Sequence, residues 1–269
     1  MLGQTIFLGG ALAFAYRFLR VEEDPRIDQV EGKLPGSNCG ACGRPGCRAF
    51  AEALVNREAA PGGCTVSPPD RIAAIAAFLG VEAGIQDKRV ARLHCAGGKS
   101  SVRTIATYSG AESCRAAHLV NAGARACAFG CLGLGDCERA CSFKAIRMNP
   151  EDLPVVDVDL CTACNDCVEV CPLDLFTLEP LAQKLIVQCK TPVTGERARA
   201  ACAVACDACG RCALDAGPGV IEMRAGLPVI REPKRTSEAA TFRCPTGAIR
   251  WVSGGQFQEA PAAGLKKHE

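Results

Sequence analysis

Apolar positions recur at helical spacing in two places near the start of the chain. Over residues 48–60, Phe50, Leu54 and Val55 share one face and predict a short helix. From Asp70, which reads as a helix cap, Ile72, Ile75 and Leu79 predict a second helix that Gly80 stops. Further on the pattern shortens. Residues 145–148 and 154–157 flank Asn149-Pro150-Glu151-Asp152 and read as a β-hairpin. A second hairpin is expected from residues 220–223 and 228–231. The fold class expected from these elements is α+β: small helical and hairpin modules with no long sheet.

The first 16 residues carry no charge, and residues 5–16 are rich in Leu, Phe, Ala and Gly. As a helix they would reach about 24 Å, short of the ~30 Å hydrocarbon core. Snorkelling by Arg17 and Arg20 would lengthen the reach. Two readings stay open, a buried or interfacial helix and a membrane span. A span would leave the rest of the chain on the cytoplasmic side, because the arginines follow it.

Composition changes the picture through one residue. The chain of 269 residues holds 20 cysteines. A secreted disulfide scaffold would need a charged start before its apolar stretch and a small-residue cleavage site, and neither is evident. A net charge of +2 with 5% aromatic residues gives no electrostatic case for nucleic acid. Gly97-Gly98-Lys99-Ser100 ends like a phosphate-binding loop, but Leu93 stands where the loop's first glycine is required. His94 and His118 lack spaced partners and read as packing residues. No flavin or nicotinamide fingerprint, Ser/His/Asp arrangement or carboxylate pair can be argued.

The cysteines instead fall at ligand spacing. Cys39-x2-Cys42-x4-Cys47-x16-Cys64 is punctuated by Gly36, Gly40, Gly43 and Gly46, and could hold zinc or a cubane cluster. Cys161-x2-Cys164-x2-Cys167-x3-Cys171-Pro172 is the bacterial ferredoxin run, whose fourth cysteine ligates the neighbouring [4Fe–4S] cluster. Its partner is Cys127-x3-Cys131-x5-Cys137-x3-Cys141, with Leu134 where the middle cysteine would sit. The expected sets are Cys141 with Cys161, Cys164 and Cys167, and Cys171 with Cys127, Cys131 and Cys137.

The third group is a repeat. A shift of 75 residues places Cys114, Cys127, Cys131 and Cys137 on Cys189, Cys202, Cys206 and Cys212. Cys141 falls on Ala216, and Cys161, Cys164 and Cys167 have no counterparts, so one whole ligand set is missing. The remaining set is Cys206, Cys209, Cys212 and Cys244. About four [4Fe–4S] clusters would use 16 of the 20 cysteines, leaving Cys95, Cys114, Cys189 and Cys202. The expected organisation is a candidate anchor helix at 1–20, a linker at 21–35 and a four-cysteine domain at 36–90. A two-cluster module at 91–180, a one-cluster module at 181–252 and a flexible tail at 253–269 follow.

The order of motifs resembles the B subunit of the Rnf complex. The resemblance rests on Val21-Glu22-Glu23-Asp24-Pro25-Arg26, on Leu34-Pro35-Gly36-Ser37-Asn38-Cys39-Gly40-Ala41-Cys42-Gly43 and on His94-Cys95-Ala96-Gly97-Gly98. Tyr108-Ser109-Gly110 and Gly130-Cys131-Leu132-Gly133-Leu134-Gly135-Asp136-Cys137 fit as well, so that it covers roughly residues 1–250. It implies an electron-transfer subunit of a complex that passes electrons from reduced ferredoxin to NAD⁺ and couples this to Na⁺ or H⁺ transport. It also implies other members of the complex as partners, soluble ferredoxin as donor, and an N-terminal anchor holding the chain at the cytoplasmic side of the inner membrane. The sequence departs from the family pattern in Ser142, where a proline usually follows the cysteine, and in the shortened last module. A soluble polyferredoxin serving another oxidoreductase, and a zinc-binding scaffold, are the alternative classes.

Overall fold

The computed structural model describes residues 9, 10, 14, 16, 17 and 23–257. The chain divides into two units, residues 1–85 and 86–269. The expected anchor at 1–20 lies largely outside the described residues. Among the described residues no helix is long and apolar enough to cross a membrane.

From residue 23 on, the described part of the first unit carries the helices α1 (Arg26–Glu31), α2 (Cys47–Val55) and α3 (Pro69–Leu79). Ile27, Val30 and Leu34 come from the stretch expected to be a linker, yet they are buried against Phe50, Leu54 and Ile75. Their three- and four-residue spacing gives α1 and the turn after it one apolar face. The four-cysteine domain therefore begins before residue 36. α2 ends earlier than expected, with Asn56 as its C-cap. α3 begins with Pro69 at its first position, and Asp70 lies in the first turn without capping it. Gly80 closes α3 at φ +62, a conformation that favours glycine.

The second unit holds two modules of one design. In the first, β1 (Arg89–Leu93) leads to α4 (Cys114–Leu119), α5 (Asp136–Ala140), the hairpin β2 (Ile146–Met148) and β3 (Pro154–Val156), α6 (Asp166–Val170) and β4 (Phe176–Pro180). The second runs β5 (Leu185–Val187), α7 (Gly195–Ala201), α8 (Arg211–Ala216), the hairpin β6 (Ile221–Arg224) and β7 (Leu227–Ile230), α9 (Ala239–Phe242) and β8 (Ile249–Trp251). In each, the first and last strands pair antiparallel around the inner hairpin: Leu93 faces Phe176, and Val187 faces Ile249. The β2–β3 turn is tied by the Asn149 side chain, which accepts the Glu151 and Leu153 N–H groups at 3.0 and 2.9 Å. The β6–β7 turn is two residues, Ala225 and Gly226, both at positive φ, as a tight hairpin requires.

Each module has its own core. Leu93, Ile146, Leu153, Val156, Leu175 and Phe176 fill the first, and Leu185, Val187, Val220, Ile221 and Ile249 the second. The start of the expected flexible tail is part of the structure. The buried Gln256 side chain accepts the Leu93 N–H and donates to the Leu93 carbonyl, both at 2.9 Å. Residues 258–269 lie outside the described residues.

Candidate metal centres

Four cavities are each lined by four cysteines. The first takes Cys39 and Cys42 from a loop, Cys47 from the first position of α2 and Cys64 from the stretch that follows α2, among Leu34, Phe50 and Val66. Asn38 sets the loop, because its side-chain oxygen accepts the Cys47 N–H at 2.8 Å and covers the start of α2. A Cβ on Gly46 would lie 2.9 Å from that oxygen, so a larger residue there would push the Asn38 side chain off the Cys47 N–H.

The second cavity gathers Cys141, Cys161, Cys164 and Cys167 with Phe143, Ile146 and Leu178. The lining crosses between segments: Cys141 follows α5, while the other three surround the start of α6. The third gathers Cys206, Cys209, Cys212 and Cys244 with Met223, Pro228 and Ile249. Both sets are those expected from spacing.

The fourth cavity corrects the expectation. It is lined by Cys131, Cys137 and Cys171, but its fourth cysteine is Cys114, and Cys127 is not among its lining. Asp136 accounts for the substitution. Its carboxylate accepts the Ser113 hydroxyl at 3.0 Å and the Arg115 N–H at 3.2 Å, and pairs with Arg139. This draws the start of α4, and Cys114 with it, beside Cys137. Burial pushes the Asp136 carboxyl up, but these hydrogen bonds outweigh it and hold it below the usual aspartate value. Cys114 thus lines the cavity where Cys127 was expected, a position no local spacing reveals.

Main-chain N–H groups point at the sulfurs. Cys141 Sγ accepts the Ala145 N–H at 3.3 Å and Cys171 Sγ the Leu175 N–H at 3.4 Å, the same step of four residues in both. Cys42, Cys131, Cys164, Cys206 and Cys209 each accept from the N–H two residues on. Burial pushes the thiols of Cys137 and Cys167 up to about 12 and those of Cys206 and Cys212 up to about 11. Ligation must therefore expel protons from buried thiols.

The donor set suits an iron–sulfur cluster. It is all thiol, walled by apolar side chains, with N–H donors aimed at sulfur. The glycine loop at 97–100 serves structure instead: Glu151 takes the Ser100 N–H and hydroxyl at 2.8 and 2.6 Å. His94 likewise bridges strands, with Nδ1 at 2.7 Å from the Val187 carbonyl and Nε2 at 2.6 Å from Thr177 Oγ1.

Two family models match the chain: an Fe–S cluster domain over residues 34–66 and a 4Fe-4S binding domain over residues 154–177. These ranges contain the first cysteine set and the ferredoxin run. Relatives extend the likeness along the chain. The B subunit of the ion-translocating oxidoreductase complex of Methanosarcina acetivorans is 34% identical over 248 residues, covering 92% of this chain and 94% of that protein. The chain belongs to the family of B subunits of ion-translocating oxidoreductase complexes. Another member, the B subunit of the proton-translocating ferredoxin:NAD(+) oxidoreductase complex of Clostridium ljungdahlii, is 35% identical over 259 residues, with 94% and 91% of the two chains covered. The B subunit of the Na(+)-translocating ferredoxin:NAD(+) oxidoreductase complex of Acetobacterium woodii is 42% identical over 201 residues. That match spans 75% of this chain and 60% of the longer Acetobacterium protein.

Proposed function

We infer that this chain is the iron–sulfur subunit through which a membrane-associated, ion-translocating ferredoxin:NAD⁺ oxidoreductase receives electrons from reduced ferredoxin. The observation that carries the reading is the presence of four separate cavities, each lined by four cysteine thiols. Four [4Fe–4S] clusters would be held by Cys39/Cys42/Cys47/Cys64, Cys114/Cys131/Cys137/Cys171, Cys141/Cys161/Cys164/Cys167 and Cys206/Cys209/Cys212/Cys244. Each cluster, when bound, takes up and releases one electron at a time.

The residues set the conditions for that exchange. Cys141 and Cys171 cross between the two sets of the first module, so neither set can shift without the other. The N–H groups of Ala145 and Leu175 offset the negative charge that the thiolates bring. Ile146, Phe176 and Leu178 exclude water and fix the cavity walls before and after electron transfer. The apolar segment at 5–16 would anchor the chain, with the modules on the cytoplasmic side where ferredoxin is met. Other members of the complex would take the electrons onward.

Anaerobic rapid mixing with reduced ferredoxin tests the donor. Bleaching of the full-length chain's cluster absorbance at a rate that rises with ferredoxin concentration supports the reading, and absence of electron uptake contradicts it. Detergent extraction tests the assembly. Co-purification with integral membrane proteins of the complex, lost when residues 1–20 are deleted, is expected; recovery as a soluble single chain would favour a polyferredoxin serving another enzyme.

A further inference from the structure

With Cys114 placed in the first module's cavity, the four cysteines left over are Cys95, Cys127, Cys189 and Cys202. They are not scattered. A Cβ on Gly97 would lie 3.0 Å from Cys202 Sγ and 3.6 Å from Cys95 Sγ, so both sulfurs lie beside that glycine. Cys127 and Cys189 pack with Cys202 against Val102 and Ala198. Cys127 and Cys189 lie within electrostatic reach of both Cys95 and Cys202.

The backbone shows why they meet. Segment 101–105 runs between the two stretches that carry Cys127 and Cys202. Arg103 donates its N–H to Ala201 and accepts from Ala126, at 3.0 and 2.8 Å, and Ala203 donates to Ser101 at 2.8 Å. The Ala96 N–H reaches the Gln188 carbonyl at 3.0 Å, which brings Cys95 beside Cys189.

The set also follows the repeat. Cys95 lies two residues after β1, and Cys189 two residues after β5. Cys127 precedes Cys131 by four residues, as Cys202 precedes Cys206. Each module thus contributes the same pair. The hydrogen bonding matches that of the other sets: Cys95, Cys127 and Cys202 accept the N–H groups of Gly97, Phe129 and Val204, each two residues on. Cys95 Sγ also accepts the Cys131 N–H at 3.3 Å.

We propose that Cys95, Cys127, Cys189 and Cys202 hold a fifth cluster, of the [4Fe–4S] type, at the junction of the two ferredoxin-like modules. The proposal rests on the reading of the other four sets as cluster sites. Its position gives the site a role. Cys131, a thiol of the first module's cavity, donates its N–H to Cys95, while Cys189 is an electrostatic neighbour of Cys206 in the second module's cavity. The junction is therefore a relay site between them, and it joins the shortened second module to the first.

Native mass spectrometry of the anaerobically purified full-length chain tests this, alongside iron and sulfide analysis of the same sample. Five [4Fe–4S] cores, roughly 20 iron per chain, are expected. A Cys95→Ser/Cys202→Ser variant should lose one core and leave the rest, and electron uptake by the second module should slow. Four cores in the natural chain, with these four thiols open to alkylation in the loaded protein, would overturn the proposal and leave the other sets standing. A two-iron core at this site would overturn its assigned type. A natural chain with no cores at all would overturn the underlying reading instead. Should the double variant fail to fold, the core count of the natural chain decides alone.

Discussion

Replacing Asp136 by alanine should free Cys114 from its cavity. The carboxylate is 11% exposed and accepts from the Ser113 hydroxyl and the Arg115 N–H while pairing with Arg139. Hydrogen bonds to a charged group contribute about 1.5–3 kcal/mol each, and the two donors share one oxygen. Removing them, with the relief of carboxylate burial set against their loss, should cost about 2–4 kcal/mol in the placement of α4's first turn. At 1.4 kcal/mol per tenfold, Cys114 would be in place roughly 30- to 700-fold less often. Three thiols would remain, so the cluster there should convert to a three-iron form on mild oxidation, read by EPR of the anaerobically purified chain. Asp136→Asn, which keeps one acceptor, should fall between. The other cavities share no partner with Asp136 and should keep their signals. Retention of that cluster in both Asp136→Ala and Cys114→Ser, with loss in Cys127→Ser, would refute the assignment of Cys114.

Three further outcomes are expected. Arg92 is buried, with only Nη1 paired, to the Gly254 carbonyl at 2.6 Å; burial lowers its pKa, and Glu179 and Cys161 counter this. Arg92→Leu should make the reduction potential of the Cys161-bound cluster more negative by about 50–100 mV, and Arg92→Lys should restore it; an unchanged potential in a redox titration would show that the cation does not act there. The iron-free chain should be alkali-sensitive. Thiols pushed up from 9.0 by burial, such as Cys95 to about 11 and Cys137 to about 12, contribute their stability fully below pH 9.0. That stability is lost as pH rises through the folded values, so denaturation midpoints should fall between pH 9 and about 12. The loaded chain, its thiols already ionised on iron, should not follow this trend in that window. Ile75→Ala, at a position with no exposed surface, should destabilise the first unit by about 2–5 kcal/mol, and Val30→Ala by ~1–2 kcal/mol; no effect at Val30 would mean that α1 does not belong to that core.

Elements specified locally were legible in the sequence. The close spacing of Cys161, Cys164 and Cys167 marks a loop, and Asn149-Pro150-Glu151-Asp152 marks a hairpin turn, because each signal lies within a few residues. Cys114 was not legible, because it reaches its cavity through Asp136, more than twenty residues away. The outer strand pairs β1–β4 and β5–β8 are three to five residues long and join distant stretches, so no periodicity announces them. The 75-residue repeat aligned Cys189 with Cys114, whereas strand positions align it with Cys95. The longer connection between Cys95 and Cys127 in the first module hides that equivalence. Residues 26–34 read as a linker because their helix is only six residues long, although Ile27, Val30 and Leu34 share a face.

Coulometric reduction of the full-length chain, purified anaerobically and followed by EPR, tests the central claim most directly. An iron–sulfur relay with the cysteine sets described here should take up about five electrons per chain at low potential, one for each four-cysteine set. A colourless chain that binds zinc and takes up no electrons would contradict it.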